Sequence, residues 1–333
     1  KHAQRRHNAS TVRHCLKLKK DKITVNSPLI PRPIGRFAPS PTHHLHLGSL
    51  TTAVASFCHI KSLGGDWLLR IEDVDFERCQ PKYTDSILHD LDKLGLHWDK
   101  EVTYQSKRTD IYDEILSNRL SDITYACQCS RKQLEAHRNQ NAKPHALNQP
   151  TLYPRFCLHK DLDKSHPKSK IRLQLPNVET AFVDELQGVI WDNPALSLGD
   201  VVVKRQNQMI NYILACAIDD GLQNITHIMR GLDIMPMTVA QINILHKCRL
   251  PIPSYFYHLP LLMNTDGQKL SKQNLATPIN TTKPSEMLLY ALKLLGQHTV
   301  KEMRAAKPHK ILRHAIEHWD NTPLTHRHTL AII

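Results

Sequence analysis

The feature of this sequence that most constrains its fold is an alternation of short apolar runs with segments of helical spacing, beginning at Ile34. The run IGRFA is predicted to be a buried strand, and the turn PSPTHH separates it from SLTTAVASFCHIKSL, where apolar residues recur at helical spacing. Gly64 and Gly65 are expected to end this helix before a second strand in WLLRIEDVD. Because helices connect neighbouring parallel strands, the alternation predicts an α/β fold with a doubly wound parallel sheet.

The same periodicities continue along the chain. They predict helices over 82–95, 107–120 and 209–220, strands over 198–204 and 225–229, and mostly helical structure over 281–333. Residues 125–170 interrupt the pattern, because they are polar, rich in His, Asn, Gln and Pro, and carry three cysteines. We therefore expect an insertion over 125–170, with the alternation resuming at Ile171.

Composition limits the class of protein. The 333 residues are 41% apolar and 23% charged, which is typical of a globular chain. No stretch approaches the roughly 20 apolar residues that cross a bilayer, and no apolar segment follows the basic N-terminus as in a signal peptide. We expect a soluble, cytoplasmic protein with no membrane partner, whose eight cysteines are thiols or metal ligands rather than disulfides.

The charge indicates a polyanionic partner. Lys and Arg number 44 against 31 Asp and Glu, a net charge of +13, which favours nucleic acid through phosphate neutralisation. Part of the excess lies in a basic arm over 1–33. For this arm three interpretations stay open: a solvated flexible segment, an RNA-contacting arm, or an organelle-targeting peptide.

Two polar segments carry candidate chemistry. In RFAPSPTHHLHLGSL, a His-rich turn precedes a helix N-terminus, where backbone N–H groups and the helix dipole favour phosphate. We expect His44, His46 and Gly48 to contact a bound phosphate there. In KLSKQ, Lys269 and Lys272 are placed to balance charge on a triphosphate.

These two segments resemble the signature motifs of class I aminoacyl-tRNA synthetases, with HLGS at 46–49 in place of HIGH and KLSKQ in place of KMSKS. The stretches RFAPSPT, LLRIEDVD, YQSKR, IMRGLDI and HLPLLMNTDGQKLSK are similar to the glutamate branch and cover most of 35–275. Within it, the chain resembles the shortened paralogues that attach glutamate to queuosine in tRNA(Asp). The resemblance implies a Rossmann-like catalytic domain over 34–124 and 171–275, and a short helical region over 276–333 without an anticodon-binding domain.

The resemblance also implies a site for L-glutamate and ATP. The residues implied for glutamate are Arg36, Phe37, Ala38, Pro39, Ser40, Glu72, Tyr212 and Arg230. The chemistry agrees, because a dicarboxylic amino acid needs guanidinium partners for its carboxylates and an acid for its ammonium group. ATP would enter with Mg²⁺ and contact His44, His46, Gly48, Lys269 and Lys272, of which His46 and Lys272 would stabilise the transferring phosphate.

The insertion contains a candidate zinc site. Cys127 and Cys129 form a C-x-C pair, and Cys157 follows at a distance that a folded loop closes around one tetrahedral ion. The resemblance implies that Tyr153 is the fourth ligand of this structural zinc. His159 is the competing choice, since imidazole is the commoner zinc ligand.

The sequence constrains the site on the tRNA that accepts glutamate less than it constrains the activation site. About 60 residues follow KLSKQ, too few for a helical anticodon-reading domain of ordinary size, so the resemblance implies transfer to queuosine in tRNA(Asp) by a monomer. Three alternatives are a conventional glutamyl-tRNA synthetase that charges the tRNA 3′ end, a non-catalytic RNA-binding paralogue, and a small nucleotidyltransferase.

One position departs from the family pattern. Where the family usually has Gly after PSPT, this chain has His43, which adds a side chain to the turn before the phosphate-binding helix. We predict an ordinary extended backbone for His43 rather than a strained one.

Overall fold

The computed structural model describes residues 32–141, 152–264 and 277–332, which belong to one compact unit. The strands are β1 (Ile34–Phe37), β2 (Asp66–Ile71), β3 (Thr103–Tyr104), β4 (Thr124–Cys127), β5 (Lys170–Leu173), β6 (Thr180–Asp184), β7 (Gly188–Asp192), β8 (Val201–Lys204), β9 (His227–Gly231), β10 (Tyr255–Leu259), β11 (Leu261–Met263) and β12 (Thr329–Ala331). The helices are α1 (Leu47–Ser62), α2 (Pro81–Lys93), α3 (Thr109–Ser117), α4 (Arg131–Asn141), α5 (Pro194–Ser197), α6 (Tyr212–Leu222), α7 (Thr238–Cys248), α8 (Pro284–Leu294) and α9 (Pro308–Glu317).

The central sheet has seven strands in the order β3-β2-β1-β9-β10-β6-β7. Neighbouring strands are parallel except in the β6–β7 hairpin, so the predicted doubly wound parallel sheet is confirmed. The chain runs outward from β1 to β3 on one side, and from β9 to β10 on the other. Strand order therefore reverses between β1 and β9, and ligands bind beyond the carboxyl ends of strands at such a reversal.

Helix α1 lies in the core between the sheet and the C-terminal helices. Leu50 and Val54 of α1, Trp67 of β2, Leu292 of α8 and Ile311 of α9 belong to one buried cluster. This apolar contact on several sides explains why α1 lacks a clear polar face, and it fixes the N-terminus of α1 near the end of β1. Gly64 has a φ of +69°, in the left-handed region, and helix α1 ends just before it, as predicted.

A smaller sheet joins the predicted insertion to later strands. Strand β5 pairs antiparallel with both β4 and β8. The elements predicted to resume at Ile171 therefore begin with β5 and β8 in an antiparallel sheet outside the central parallel sheet, a pairing that the local sequence does not encode. The insertion boundary at residue 170 stays a prediction, although it falls inside β5.

The last described segment contains helices α8 and α9, which agree with the mostly helical structure predicted there, and one strand that was not predicted. Strand β12 pairs in parallel with β11, at residues 329–331. None of the described helices is long and apolar enough to span a membrane.

Candidate active site and cysteine cluster

A cavity of about 610 Å³ opens beyond the carboxyl ends of β1 and β9. The predicted residues that line it are Arg36, Phe37, Ala38, Pro39, Ser40, His44, His46, Gly48, Glu72, Tyr212 and Arg230. The structure thus brings the residues expected for glutamate and those expected for phosphate into a single space. The motif with Lys269 and Lys272 lies outside the described residues.

His46 caps the N-terminus of α1. Its Nδ1 accepts hydrogen bonds from the backbone N–H groups of Gly48, at 3.1 Å, and Ser49, at 3.4 Å. The Ser49 hydroxyl accepts in return from the His46 backbone N–H, at 3.3 Å. Because Nδ1 accepts, the neutral ring carries its proton on Nε2, and His46 therefore combines a structural cap with a side-chain donor.

The neighbouring histidines contact helix α2. Nδ1 of His44 lies 2.7 Å from the Ser86 hydroxyl, and its ring meets the edge of Tyr83. His43 stacks on the same tyrosine, with ring centroids 5.9 Å apart. His43 is not among the described non-glycine residues with positive φ, which agrees with the predicted unstrained backbone. The histidine in place of glycine therefore needs no left-handed conformation.

The guanidinium group of Arg36 forms an ion pair with Asp220, an acid of helix α6. The Asp220 carboxylate accepts from Nε of Arg36 at 3.0 Å and from its Nη2 at 3.3 Å. Nη2 of Arg70 lies 2.8 Å from the same carboxylate and 3.4 Å from Glu72. Although burial raises the pKa of Asp220, Arg36 and Arg70 outweigh this and hold it below its usual range. Asp220 is therefore ionised and anchors both guanidinium groups.

Glu72 is the buried acid of the cavity. Its side chain is nearly inaccessible, and burial raises its pKa while Arg70 and Arg36 oppose the shift. A substrate ammonium group beside Glu72 would favour the ionised form further. Arg36 and Arg230 line the cavity together with Glu72, so guanidinium partners for carboxylates lie beside an acid for an ammonium group.

Arg230 is fixed by a chain of buried polar groups. It donates from Nη1 to Gln241 at 2.7 Å, from Nη2 to Thr238 at 2.8 Å, and from Nε to Nε2 of His258 at 3.1 Å. His258 in turn lies 2.6 Å from Asp184 through Nδ1. Burial lowers the pKa of His258 to about 4, although Asp184 opposes this, so the ring is neutral and accepts from Arg230.

The sequence did not reveal this supporting layer. Its members are Arg70, Asp184, Asp220, Thr238, Gln241 and His258, all buried. In the sequence, the one indication of such partners was the charged pair Asp219 and Asp220 at the end of an otherwise apolar helix. A charge that lies on a buried helix usually has a specific partner.

The three insertion cysteines form one buried cluster. Sγ atoms of Cys127, Cys129 and Cys157 lie within 4.8 Å of one another, close enough to hold a metal ion. The Tyr153 hydroxyl lies 3.3 Å from Cys127 and 3.4 Å from Cys129, whereas His159 is exposed and outside the group. Burial raises the pKa of Cys127, but hydrogen bonds with Tyr153 and Arg172 outweigh it and lower this pKa to about 7. Clustered thiols of this kind suit a thiophilic ion.

A cavity at the reversal of a parallel sheet, with a capping histidine on one side and fixed guanidinium groups on the other, defines an α/β domain that binds a nucleotide beside an anionic substrate. The family described as tRNA synthetases class I (E and Q), catalytic domain, matches residues 34–325, and the chain belongs to this family. It is thus a ligase of the aminoacyl-tRNA synthetase type, and membership implies ATP, glutamate and tRNA as substrates.

Individual relatives agree with this assignment. The chain is 36% identical over 302 residues to the "Glutamyl-Q tRNA(Asp) synthetase" of Ectopseudomonas mendocina, covering 90% of this chain and 97% of that one. It is 39% identical over 288 residues to the protein of the same name from Cronobacter sakazakii, covering 86% and 92%. A glutamate tRNA ligase structure from Elizabethkingia meningosepticum, in complex with its amino acid, superposes with a TM-score of 0.73 at 23% identity, over 91% of this chain and 67% of that one. This last likeness shows the fold.

Proposed function

We propose that this protein activates L-glutamate with ATP and transfers the glutamyl group to the queuosine base at the wobble position of tRNA(Asp). The observation that carries the proposal is the single cavity in which Arg36, Glu72 and Arg230 face the N-terminus of α1. The relatives named glutamyl-Q tRNA(Asp) synthetase, aligned over most of their own length, support the choice of acceptor.

Glutamate binding follows from the charges of the cavity. Arg36 and Arg230 take the two carboxylates, and Glu72 takes the ammonium group. Because Asp220 and the His258 chain fix the two guanidinium groups in advance, little side-chain entropy is lost on binding. Phe37, Ala38, Pro39, Ser40 and Tyr212 complete the walls.

Activation is an in-line displacement at the α-phosphate of ATP. An α-carboxylate oxygen of glutamate attacks the phosphorus, the bond to the bridging oxygen breaks, and pyrophosphate leaves with that electron pair. His44 and Gly48 contact the phosphates, and His46 donates through Nε2–H to a phosphate oxygen as charge develops. Lys269 and Lys272 neutralise the leaving pyrophosphate, and Mg²⁺ enters with ATP to offset the triphosphate charge.

Transfer then uses a hydroxyl of the queuosine ring diol as nucleophile. This oxygen attacks the carbonyl carbon of glutamyl-adenylate, the carbon–oxygen bond to the phosphate breaks, and AMP leaves. An unpaired anticodon base can enter a pocket because it is not held in a helix. The product is an ester on the base rather than on the terminal ribose.

The cysteine cluster is proposed to hold one structural zinc ion through Cys127, Cys129, Cys157 and Tyr153. The spacing of the three sulfur atoms and the hydroxyl supports this set over one with His159. Bound zinc would join the end of β4 to the segment that carries Tyr153 and Cys157. We further propose that the protein acts as a cytoplasmic monomer.

The acceptor assay uses radiolabelled glutamate and tRNA(Asp) in two forms, complete and lacking the terminal adenosine. We expect both queuosine-containing forms to be labelled equally. The labelled product should be labile in mild alkali. The control is queuosine-free tRNA(Asp), which should stay unlabelled. Labelling that requires the terminal adenosine, or that appears equally on queuosine-free tRNA(Glu), would indicate a conventional glutamyl-tRNA synthetase instead.

A further inference from the structure

Three histidine rings meet at the C-terminal helices, and none of them lines the cavity or belongs to the cysteine cluster. Nδ1 of His298 lies 3.2 Å from Nε2 of His314. His314 and His318 lie one helical turn apart, and their rings stack with centroids 4.1 Å apart. His298 and His318 are exposed and His314 is half-buried, so an ion has access from solvent.

The loop that carries His298 is fixed beside the end of α9. The buried Gln297 side chain donates to the Asp320 carbonyl at 2.7 Å and accepts from the Asp320 backbone N–H at 3.1 Å. This pair of bonds joins the turn after α8 to the residues just beyond α9. The approach of His298 to His314 is therefore built into the fold.

The distance and the tautomers fit metal ligation. Two nitrogens that share a tetrahedral ion at about 2.0–2.1 Å lie about 3.3 Å apart, close to the observed separation of His298 and His314. Nδ1 of His318 lies 3.0 Å from the His314 carbonyl oxygen and donates to it, which leaves the lone pair on Nε2.

Electrostatics favours a metal ion over protons at this cluster. The ring centroids of His298 and His318 lie 5.4 Å and 4.1 Å from that of His314. Three adjacent imidazolium ions would repel one another, whereas one divalent ion can accept a lone pair from one nitrogen of each neutral ring. Histidines four residues apart on a helix are a known arrangement for chelating one ion.

We propose that His298, His314 and His318 form a surface binding site for a divalent transition metal of the imidazole-preferring class, such as Zn²⁺, Ni²⁺ or Cu²⁺. His298 Nδ1 and His314 Nε2 supply two ligands in their present positions, and the exposed His318 ring rotates to supply Nε2 as the third. A bound ion ties the turn after α8 to the end of α9 and stabilises the folded chain by mass action.

The test uses untagged protein that has first been loaded with a single equivalent of Zn²⁺ for its cysteine cluster, and then titrates it with Ni²⁺ by calorimetry. We expect His314→Ala and His298→Ala each to lose one bound equivalent. His309→Ala removes another exposed histidine of α9 and is the matched control, which should keep that equivalent. Ni²⁺ should also raise the Tm of the parent and of the control, but not of the other two variants.

Equal stoichiometry in His314→Ala and His309→Ala would overturn the site. Retention of the equivalent in His298→Ala would overturn the three-ligand assignment, because a pair on one helix would then suffice. Since His298 lies in an exposed loop, its variant keeps the test informative even if His314→Ala unfolds.

Discussion

The Asp220 carboxylate accepts two hydrogen bonds from Arg36, at 3.0 Å and 3.3 Å, across 184 positions of the chain. Nη1 of Arg36 makes no hydrogen bond with the described residues. The acid therefore fixes one edge of the guanidinium group and directs the other toward the cavity. In the proposed glutamate complex, Asp220 would thus hold Arg36 in the orientation that presents this other edge to a carboxylate.

Replacing Asp220 should weaken glutamate binding. We expect Asp220→Asn to raise the glutamate KM in ATP–pyrophosphate exchange and to cost on the order of 3–5 kcal/mol of unfolding free energy, because two buried guanidinium groups lose their counterion. Asp219→Asn is the control, since Asp219 is equally buried but pairs with Arg108 and Tyr112 outside the cavity. It should lose stability while keeping the glutamate KM, and a similar rise in both variants would refute the role given to Asp220.

His46 should show separable structural and chemical roles. His46→Asn keeps a good helix cap but lacks the Nε2 donor, so we expect nearly unchanged stability and a rate of pyrophosphate exchange lower by roughly 10²–10³-fold. His46→Ala should show the same rate loss and a further loss of about 1 kcal/mol in unfolding free energy. Normal exchange in the asparagine variant would limit His46 to capping.

Lys272 is expected to contribute charge stabilisation. Lys272→Ala should lower glutamate-dependent exchange by on the order of 2.7–4 kcal/mol in activation free energy, as when a transition-state partner is removed. Exchange should need no tRNA, because the proposed activation residues lie in one domain. Full activity of this variant would remove Lys272 from the mechanism.

The zinc proposal predicts one metal equivalent in protein purified without chelator. Elemental analysis should find it in the parent chain and lose it in Cys127→Ser, because a structural site needs its thiolates. Tyr153→Phe should weaken zinc affinity, whereas His159→Ala should not, given the positions of their side chains. Equal affinities in these two variants would exclude Tyr153 as a ligand.

Buried histidines should make the fold sensitive to acid. Burial lowers the pKa of His59 and His227 to about 4, against 6.5 for the ordinary group. Below about pH 6.5 the unfolded chain binds more protons, so this stability is complete above that pH and is lost as the pH falls toward 4. Between pH 7 and 5 we expect urea denaturation to show a loss of about 1–2 kcal/mol for each ring.

The matched variants for this effect are His59→Gln and the exposed His309→Gln. Only the first should flatten the dependence of unfolding free energy on pH, because an exposed ring titrates alike in both states. The same pH slope in His59→Gln and the parent would contradict the assignment.

Local patterns in the sequence determined the sheet class and the position of the first helix, and the resemblance of its motifs implied the residues around the cavity. Local periodicity reports which side of a strand or helix is buried, and Gly64 supplied the end of α1 directly. The motif around His46 placed a phosphate-binding turn at a helix N-terminus because adjacent residues alone define that geometry. Cys127, Cys129 and Cys157 were likewise close enough in sequence to indicate a cluster.

Only the tertiary structure decided the pairings between distant segments. The antiparallel contacts of β5, the Asp220 anchor of Arg36 and the Asp184–His258–Arg230 chain join residues far apart in sequence. The approach of His298 to His314 was equally hidden, since it depends on the bonds of Gln297 to Asp320. A burial pattern predicts that a buried polar group needs a partner, but it does not predict which residue that partner is. The partner depends on strand order and helix packing, which many sequence positions determine together.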